Sequence, residues 1–257
     1  MKKSILIINL LFLLSVAGFT QSFKIANGDT INLTDKQKLK QARWEENIGG
    51  VNVCGWYKND KKEGTWVIYY PENIPNKIES YQNGKRNGIC IELDKKGAIS
   101  SEKNYKNDQL HGQYRMFGNG NVLTLTCNYK NGLLNGKKVT YYDNYPGKML
   151  EEAFYSEGKK NGSSKWYSVE QKLIAEYNYK SGDFDGKQLT FFENGKIQTE
   201  EIYVNGVQEG IFTEFFDNGS VKMTGLYSNG TKEGKWQEFN KEGKIVTEIK
   251  YKKGIAK

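Results

Sequence analysis

Apolar and polar residues alternate along most of this chain in stretches of about six residues, each bounded by a turn signal. The stretches are rich in Val, Ile, Thr, Tyr, Phe and Trp, which are typical of half-buried strands. Eleven Asn-Gly dipeptides separate them. Asn-Gly favours a two-residue hairpin turn because both residues tolerate positive φ. The pattern therefore predicts a succession of short antiparallel hairpins.

The hairpins recur with a fixed period. Tyrosines stand 24 residues apart, with one step of 26 residues. They are Tyr57, Tyr81, Tyr105, Tyr129, Tyr155, Tyr179, Tyr203, Tyr227 and Tyr251. Seven residues after each of the first eight stands a glycine that we expect to be structural. These glycines are Gly64, Gly88, Gly112, Gly136, Gly162, Gly186, Gly210 and Gly234. Because a lone hairpin is marginal in water, we expect the hairpins to stack, with an aromatic ladder along the array.

The predicted fold class is all-β, an elongated single-layer array of antiparallel β-hairpins with a period of about 24 residues. The 26-residue repeat carries its extra residues in DNYPGK at 143–148, which should lie in a turn because turns tolerate insertions. The sequence predicts three segments: 1–20 as a signal peptide, 21–56 as an N-terminal cap and 57–254 as the hairpin array.

The N-terminal cap admits two interpretations. Ala42-Arg43-Trp44 resembles Gly64-Thr65-Trp66, which favours a degenerate first repeat. Alternatively, residues 34–47 form a capping helix in which Thr34 and Gln37 make a capping box. We favour the degenerate repeat, and under either interpretation the cap protects the edge of the array.

The first twenty residues have the pattern of an export signal. Lys2 and Lys3 precede an apolar run from Ile5 to Leu14, and small residues at 15–17 suit cleavage. The alternative is an uncleaved anchor, but the run is shorter than the about 20 residues that span a bilayer. We expect an exported protein that is periplasmic, associated with the outer envelope, or secreted.

Composition and charge narrow the classes of partner. Mean hydropathy is low at −0.73, yet 13% of residues are aromatic, which favours an ordered protein with a thin core over a disordered chain. The formal net charge of +8 becomes +6 when Lys2 and Lys3 are removed. Acidic residues are interspersed throughout, so no basic block for nucleic acid exists. A diffuse positive charge suits solubility and anionic envelope surfaces.

Residue types that carry chemistry are few. We expect Cys54, Cys90 and Cys127 to be buried or half-buried in strands, because no C-x-x-C spacing exists. His111, the only histidine, occupies a turn position that is polar in every repeat. The stretch at 183–186 resembles the start of a calcium loop but lacks the remaining ligands. We therefore predict no catalytic residue, no metal site and no cofactor, and a protein that is not an enzyme.

The position two residues after the repeat glycine is the candidate binding position. Trp66, Tyr114, Phe212 and Trp236 occupy it, whereas other repeats carry smaller or polar residues there. One hypothesis is a stripe of surface aromatics that binds a partner or stacks on sugars. The alternative, which we favour, is packing against the next hairpin, since aromatics commonly cover sheet faces.

The repeat Y-x-N-G-x-x-x-G-x-W-x-x-Y/F resembles the MORN repeat in the variant form found in bacterial proteins, over roughly residues 33–254. Some of those proteins are labelled as antitoxin components. The resemblance implies a twisted hairpin array that serves protein interaction or attachment to phospholipid surfaces. It also implies that any enzymatic activity lies in an additional domain, for which this chain has no room. The antitoxin role fits poorly with an export signal.

The function expected from the sequence is an exported, non-enzymatic repeat protein that presents an extended surface to a protein or cell-envelope component. Peripheral binding to anionic phospholipid or to glycan is the alternative, and antitoxin-like inhibition of a partner protein is a third hypothesis. The sequence specifies neither the protein partner nor the oligomeric state.

Overall fold

The structure, a computed structural model, describes residues 21–257. The predicted signal peptide therefore lies outside the described residues. Residues 21–257 contain no α-helix and form 23 β-strands with one short 3-10 turn at Asn119–Asn121. None of the helical segments among them has the length and apolarity needed to cross a membrane. The chain divides into two compact units, the first ending at Asn121 and the second comprising Val122–Lys257.

The first unit contains nine strands. They are β1 (Ser22–Ala26), β2 (Asp29–Thr34), β3 (Lys40–Ile48), β4 (Val51–Lys58), β5 (Lys61–Tyr69), β6 (Pro75–Gln82), β7 (Lys85–Leu93), β8 (Ile99–Lys106) and β9 (Gln109–Phe117). Each strand pairs antiparallel with the next one in the chain.

The second unit contains fourteen strands. They are β10 (Leu123–Lys130), β11 (Leu133–Tyr141), β12 (Met149–Ser156), β13 (Lys159–Tyr167), β14 (Leu173–Lys180), β15 (Asp183–Phe184), β16 (Gly186–Phe191), β17 (Ile197–Val204), β18 (Val207–Gln208), β19 (Gly210–Phe215), β20 (Val221–Ser228), β21 (Thr231–Phe239), β22 (Ile245–Lys252) and β23 (Ile255–Ala256). Pairing is again antiparallel between neighbours in the chain, so the predicted hairpin array is confirmed.

The repeat glycines mark a constant feature of the register. The glycine of one repeat is the strand partner of the tyrosine that opens the next, as in Gly64 with Tyr81 and Gly234 with Tyr251. All eight glycines have positive φ, between 65° and 108°. L side chains rarely adopt this conformation, which explains why glycine recurs at this point of every strand.

The N-terminal segment is strand and not helix. Residues 34–47 leave β2, turn at Asp35 and enter β3, so the capping helix does not form. Ala42 takes φ of 62° and pairs with Tyr57, which is the role of the repeat glycine in later hairpins. The insertion at 143–148 lies between β11 and β12, as predicted, and the usual pairing of Gly136 with Tyr155 persists beyond it.

Burial is concentrated on one face of the sheet, which we call the tyrosine face because it carries the repeat tyrosines. Successive side chains of a strand point to opposite faces, and directly paired residues share a face. The tyrosine face also carries the buried Trp66, Cys90, Ser164, Gln188 and Trp236, each two residues after a repeat glycine. The core is therefore one row of side chains within each unit. Among residues 21–257, no second sheet or helix layer covers this row.

Candidate functional site

The four candidate aromatics do not form an exposed stripe. Trp66 is fully buried and Trp236 is 5% exposed, so the hypothesis of surface aromatics is wrong for both tryptophans, and their burial agrees with the favoured alternative of packing. Tyr114 and Phe212 are half-buried. The face on which these residues lie is the packed face of the sheet, which is why the bulkiest of them are removed from solvent.

Two glycines explain how the tryptophans are buried. Gly55 and Gly225 lie directly beneath the rings: a Cβ atom built on either would come within 2.2 Å of the indole of Trp66 or Trp236. Each indole N–H donates to a backbone carbonyl, that of Trp56 for Trp66 and that of Leu226 for Trp236, both at 3.1 Å. The absent side chain therefore makes room for the ring to lie flat on the preceding strand.

A lysine covers the other side of each indole. The Lys62 ammonium lies 4.2 Å from the Trp66 ring and 4.8 Å from the Tyr81 ring. The Lys232 ammonium lies 4.1 Å from the Trp236 ring, in the equivalent place. These are favourable cation–π distances. A ligand could stack on either indole only by displacing a lysine, so these tryptophans serve packing in this conformation.

Polar residues occupy the same row in the hairpins between the two tryptophans. In the first unit Glu92 accepts hydrogen bonds from Lys103 and Ser101, both at 2.8 Å. Burial alone would raise the pKa of Glu92, but these bonds and the Lys77 contact outweigh it and lower the pKa to about 2. Burial raises the pKa of the nearby Cys90 thiol to about 11. Cys90 is therefore a neutral, poorly nucleophilic thiol at neutral pH.

The second unit holds a cluster of Ser164, Lys160 and Glu151. The Ser164 hydroxyl and the Lys160 ammonium donate to the same Glu151 oxygen at 2.8 and 2.6 Å, and they lie 3.4 Å apart. A serine beside a lysine can form a nucleophile–base pair. Here burial lowers the pKa of Lys160 but Glu151 raises it by more, so the lysine stays protonated. Ser164 is 0% exposed, which closes it to substrate.

The position that His111 occupies has a structural role in other repeats. Glu63, Asp185, Glu209 and Glu233 stand there, and each accepts a hydrogen bond from the backbone N–H that opens the next turn, at 2.7 to 3.1 Å. These bonds tie each turn to the previous one. Asp185, part of the stretch that resembles a calcium loop, is engaged in this way, and no group of three or more metal-binding side chains occurs among residues 21–257.

The opposite face of the second unit exposes two apolar cross-strand pairs in neighbouring hairpins, which we call together the aliphatic cluster. The pairs are Val204 with Val207 and Ile211 with Leu226. All four side chains are exposed, Ile211 by 59%. Sequence reasoning missed them because it looked only at aromatic positions. The sequence does contain a signal for their position, because side chains of a strand alternate between the two faces of the sheet. Val204 and Leu226 each adjoin a repeat tyrosine and must therefore point to the opposite face.

The first unit contains a polar cavity of about 550 Å³. Three asparagines line it and are linked to each other: Asn47 donates to Asn52 at 2.7 Å, and Asn52 donates to Asn73 at 2.9 Å. Lys24, Arg43, Glu45 and Glu46 also line the cavity, and Arg43 is ion-paired with Glu45 at 2.8 Å. Amides and charged side chains of both signs around a cavity of this size suit a polar ligand.

Three consecutive repeats of this chain match a family model described as a MORN repeat variant, over residues 184–205, 208–229 and 232–253. No curated protein matches the chain. The matched residues comprise the last three complete hairpins, and the earlier hairpins share their tyrosine–glycine register, as in Gly64 with Tyr81. The repeats and the repeated sheet fit a repeat protein that serves interaction.

Proposed function

We propose that this chain is an exported, non-enzymatic repeat protein that binds a protein or cell-envelope component through the exposed surface of its hairpins. The aliphatic cluster carries this proposal. Most of the large side chains of the tyrosine face are engaged in packing, whereas Ile211 and Leu226 form an exposed apolar pair on the opposite face. Exposed apolar residues that lie together mark interaction sites more often than scattered ones do.

Two observations support a non-enzymatic role. Two nucleophile candidates on the tyrosine face, Ser164 and Cys90, are buried, and burial raises the pKa of the Cys90 thiol. The lysine beside Ser164 is held protonated by Glu151, so it cannot act as a general base. Hydrolase or transferase activity of the purified protein that is lost on Ser164→Ala, with folding unchanged, would contradict the proposal.

A crosslinking experiment tests the interaction surface. A photo-crosslinking amino acid is placed at 211 and, as the matched control, at 174, where Ile174 is also exposed on the second unit but has no place in the cluster. Irradiation in the native envelope fraction should give a discrete adduct from position 211 and a much weaker one from 174. Leu226→Asp should abolish the adduct while leaving the circular dichroism spectrum and melting temperature unchanged, since exposed substitutions usually alter stability little. Equal labelling from both positions would refute the proposal.

Binding to a glycan or an anionic lipid surface is the second candidate function, and the polar cavity favours the glycan. Its linked asparagine amides can donate to and accept from sugar hydroxyls, and the carboxylates of Glu45 and Glu46 can accept from them. Co-sedimentation with envelope polysaccharide and with anionic liposomes, at low and high salt, separates the two. Asn52→Leu should weaken polysaccharide binding and leave any liposome binding unchanged. Absence of binding to both at low salt would eliminate this candidate.

A further inference from the structure

Asn-Gly is the dipeptide in which an asparagine loses ammonia most readily, because glycine has no side chain to shield its backbone nitrogen. That nitrogen attacks the asparagine Cγ, the Cγ–Nδ2 bond breaks, and ammonia leaves with a proton from the glycine N–H. Water then opens the resulting succinimide at either carbonyl, giving aspartate or isoaspartate. This chain contains eleven such dipeptides. The structure indicates which of them are protected.

The stacked turns hold the attacking nitrogen. The N–H of Gly84 donates to the Lys62 carbonyl at 2.9 Å, and that of Gly206 donates to the Phe184 carbonyl at 2.8 Å. The N–H of Gly230 donates to the Gln208 carbonyl at 3.0 Å. Each bond runs to the preceding hairpin, so the nitrogen cannot turn toward the asparagine side chain unless the turn leaves the stack.

The asparagines of these turns are held as well. The N–H of Asn83 donates to Glu63 at 2.8 Å, that of Asn205 to Asp185 at 3.1 Å and that of Asn229 to Glu209 at 2.7 Å. Two bonds thus fix each turn on the one before it. Cyclisation requires the backbone of the turn to rotate away from its left-handed conformation, and both bonds must break first.

Among residues 21–257, no such bonds hold the turn of the first hairpin. Asn27 has φ of 52°, close to the 48° to 52° of Asn83, Asn205 and Asn229, and is exposed like them. The N–H of Gly28 donates to no backbone acceptor among residues 21–257. No side-chain atom of those residues accepts from the N–H of Asn27 either. The four turns therefore share conformation and exposure, and differ in whether a preceding hairpin holds them.

We infer that Asn27 is a site of spontaneous deamidation to aspartate and isoaspartate, and that hydrogen bonds between stacked turns suppress the same reaction at Asn83, Asn205 and Asn229. Stacking thus holds the turns at Asn83, Asn205 and Asn229. Isoaspartate would lengthen the turn backbone by one carbon atom and disturb the pairing of Ala26 with Asp29. The β1–β2 hairpin would loosen first, since it pairs with β3 at only two positions, Leu33 with Gln41 and Thr34 with Lys40.

Peptide mapping by mass spectrometry tests this inference on the purified chain, incubated at mildly alkaline pH and body temperature. Conversion is read as the mass increase of about one dalton in each asparagine peptide. Because two hydrogen bonds are lost before cyclisation, we expect conversion at Asn27 to be at least about tenfold faster than at Asn205 or Asn229. The same incubation in denaturant should bring the rates together. If the rates still differ in denaturant, the difference comes from the neighbouring residues in the sequence and not from the fold, and the inference is overturned.

A variant tests the role of the turn bond directly. Glu209→Ala removes the acceptor of the Asn229 N–H and should raise conversion at Asn229 several-fold, with Asn205 unaffected. Glu233→Ala is the matched control, because its partner is Lys253 and that turn contains no asparagine. Unchanged conversion at Asn229 in Glu209→Ala, or equal conversion at Asn27 and Asn205 in the native chain, would overturn the inference.

Discussion

Replacing Gly225 by alanine should destabilise the protein, although the glycine has an ordinary backbone conformation. The new Cβ atom would lie 2.2 Å from Cδ2 and 2.3 Å from Cε2 of Trp236, far inside the contact distance of about 3.5 Å. The ring cannot move freely, because Phe212 stacks on it at 5.7 Å and Lys232 lies 4.1 Å from its centre. The substitution must therefore push the indole outward or distort β20.

The expected change in the free energy of unfolding combines two destabilising effects and one stabilising effect. Overpacking of a core costs about 1 to 3 kcal/mol. Displacing the ring also lengthens the 3.1 Å hydrogen bond from its N–H to the Leu226 carbonyl, worth about 1 kcal/mol. The reduced entropy of the unfolded chain returns about 0.4 to 1 kcal/mol. We expect a net loss of about 2 kcal/mol in the free energy of unfolding.

Urea unfolding followed by far-ultraviolet circular dichroism measures this loss, and a double-mutant cycle assigns it to the contact. The chain itself contains a small pair at the equivalent place, Ala153 with Ser164. In the background of Trp236→Ser, the change Gly225→Ala should therefore cost nothing or stabilise slightly. An equal cost in both backgrounds, or no cost in the native background, would refute this account of how the tryptophan is buried.

Three further outcomes are expected. Lys232→Met should lower the free energy of unfolding by about 0.5 to 1 kcal/mol in urea, since it removes the cation 4.1 Å from the Trp236 ring. Lys241→Met should change it less, since that ammonium lies 5.8 Å from the Phe216 ring. Glu92→Gln should destabilise at neutral pH. Because the pKa of Glu92 is lowered in the folded state to about 2, its contribution is present above the unfolded pKa near 4.5 and is lost as pH falls toward 2. The gap in unfolding free energy between native and variant proteins should close over that interval, and a gap independent of pH would contradict it. Ala42→Gly should stabilise by about 0.5 to 1 kcal/mol in thermal or urea unfolding, since φ there is 62°; destabilisation would argue against the repeat-glycine role.

The repeat and its hairpins could be predicted because their signals are local. A two-residue turn needs positive φ at residues that Asn and Gly supply, and the tyrosine and glycine positions then recur with the period of the hairpin. The register that pairs Gly64 with Tyr81 is a direct consequence of that spacing. The degenerate first repeat was recognisable from Trp44 in the same way, although Ala42 hides the glycine signal.

The candidate site could not be predicted in the same way. A single position two residues after the repeat glycine gives no information on what lies beneath it in the preceding strand. A signal did exist, because the two repeats with tryptophan at that position, Trp66 and Trp236, are the two preceded by glycine two residues before the tyrosine, at Gly55 and Gly225. For the aliphatic cluster, the sequence likewise shows only that Val204 and Leu226 adjoin repeat tyrosines.

By itself, the sequence determined the all-β class, the hairpin period, the positions of the turns and the glycines that need positive φ. These are properties of short stretches of chain, set by backbone sterics and turn geometry. Tertiary structure alone decided which side chains are buried. Exposure depends on neighbours across the sheet: Trp66 is buried because Gly55 leaves space beneath it and Lys62 lies over it, whereas Ile211 remains exposed although it is paired with Leu226.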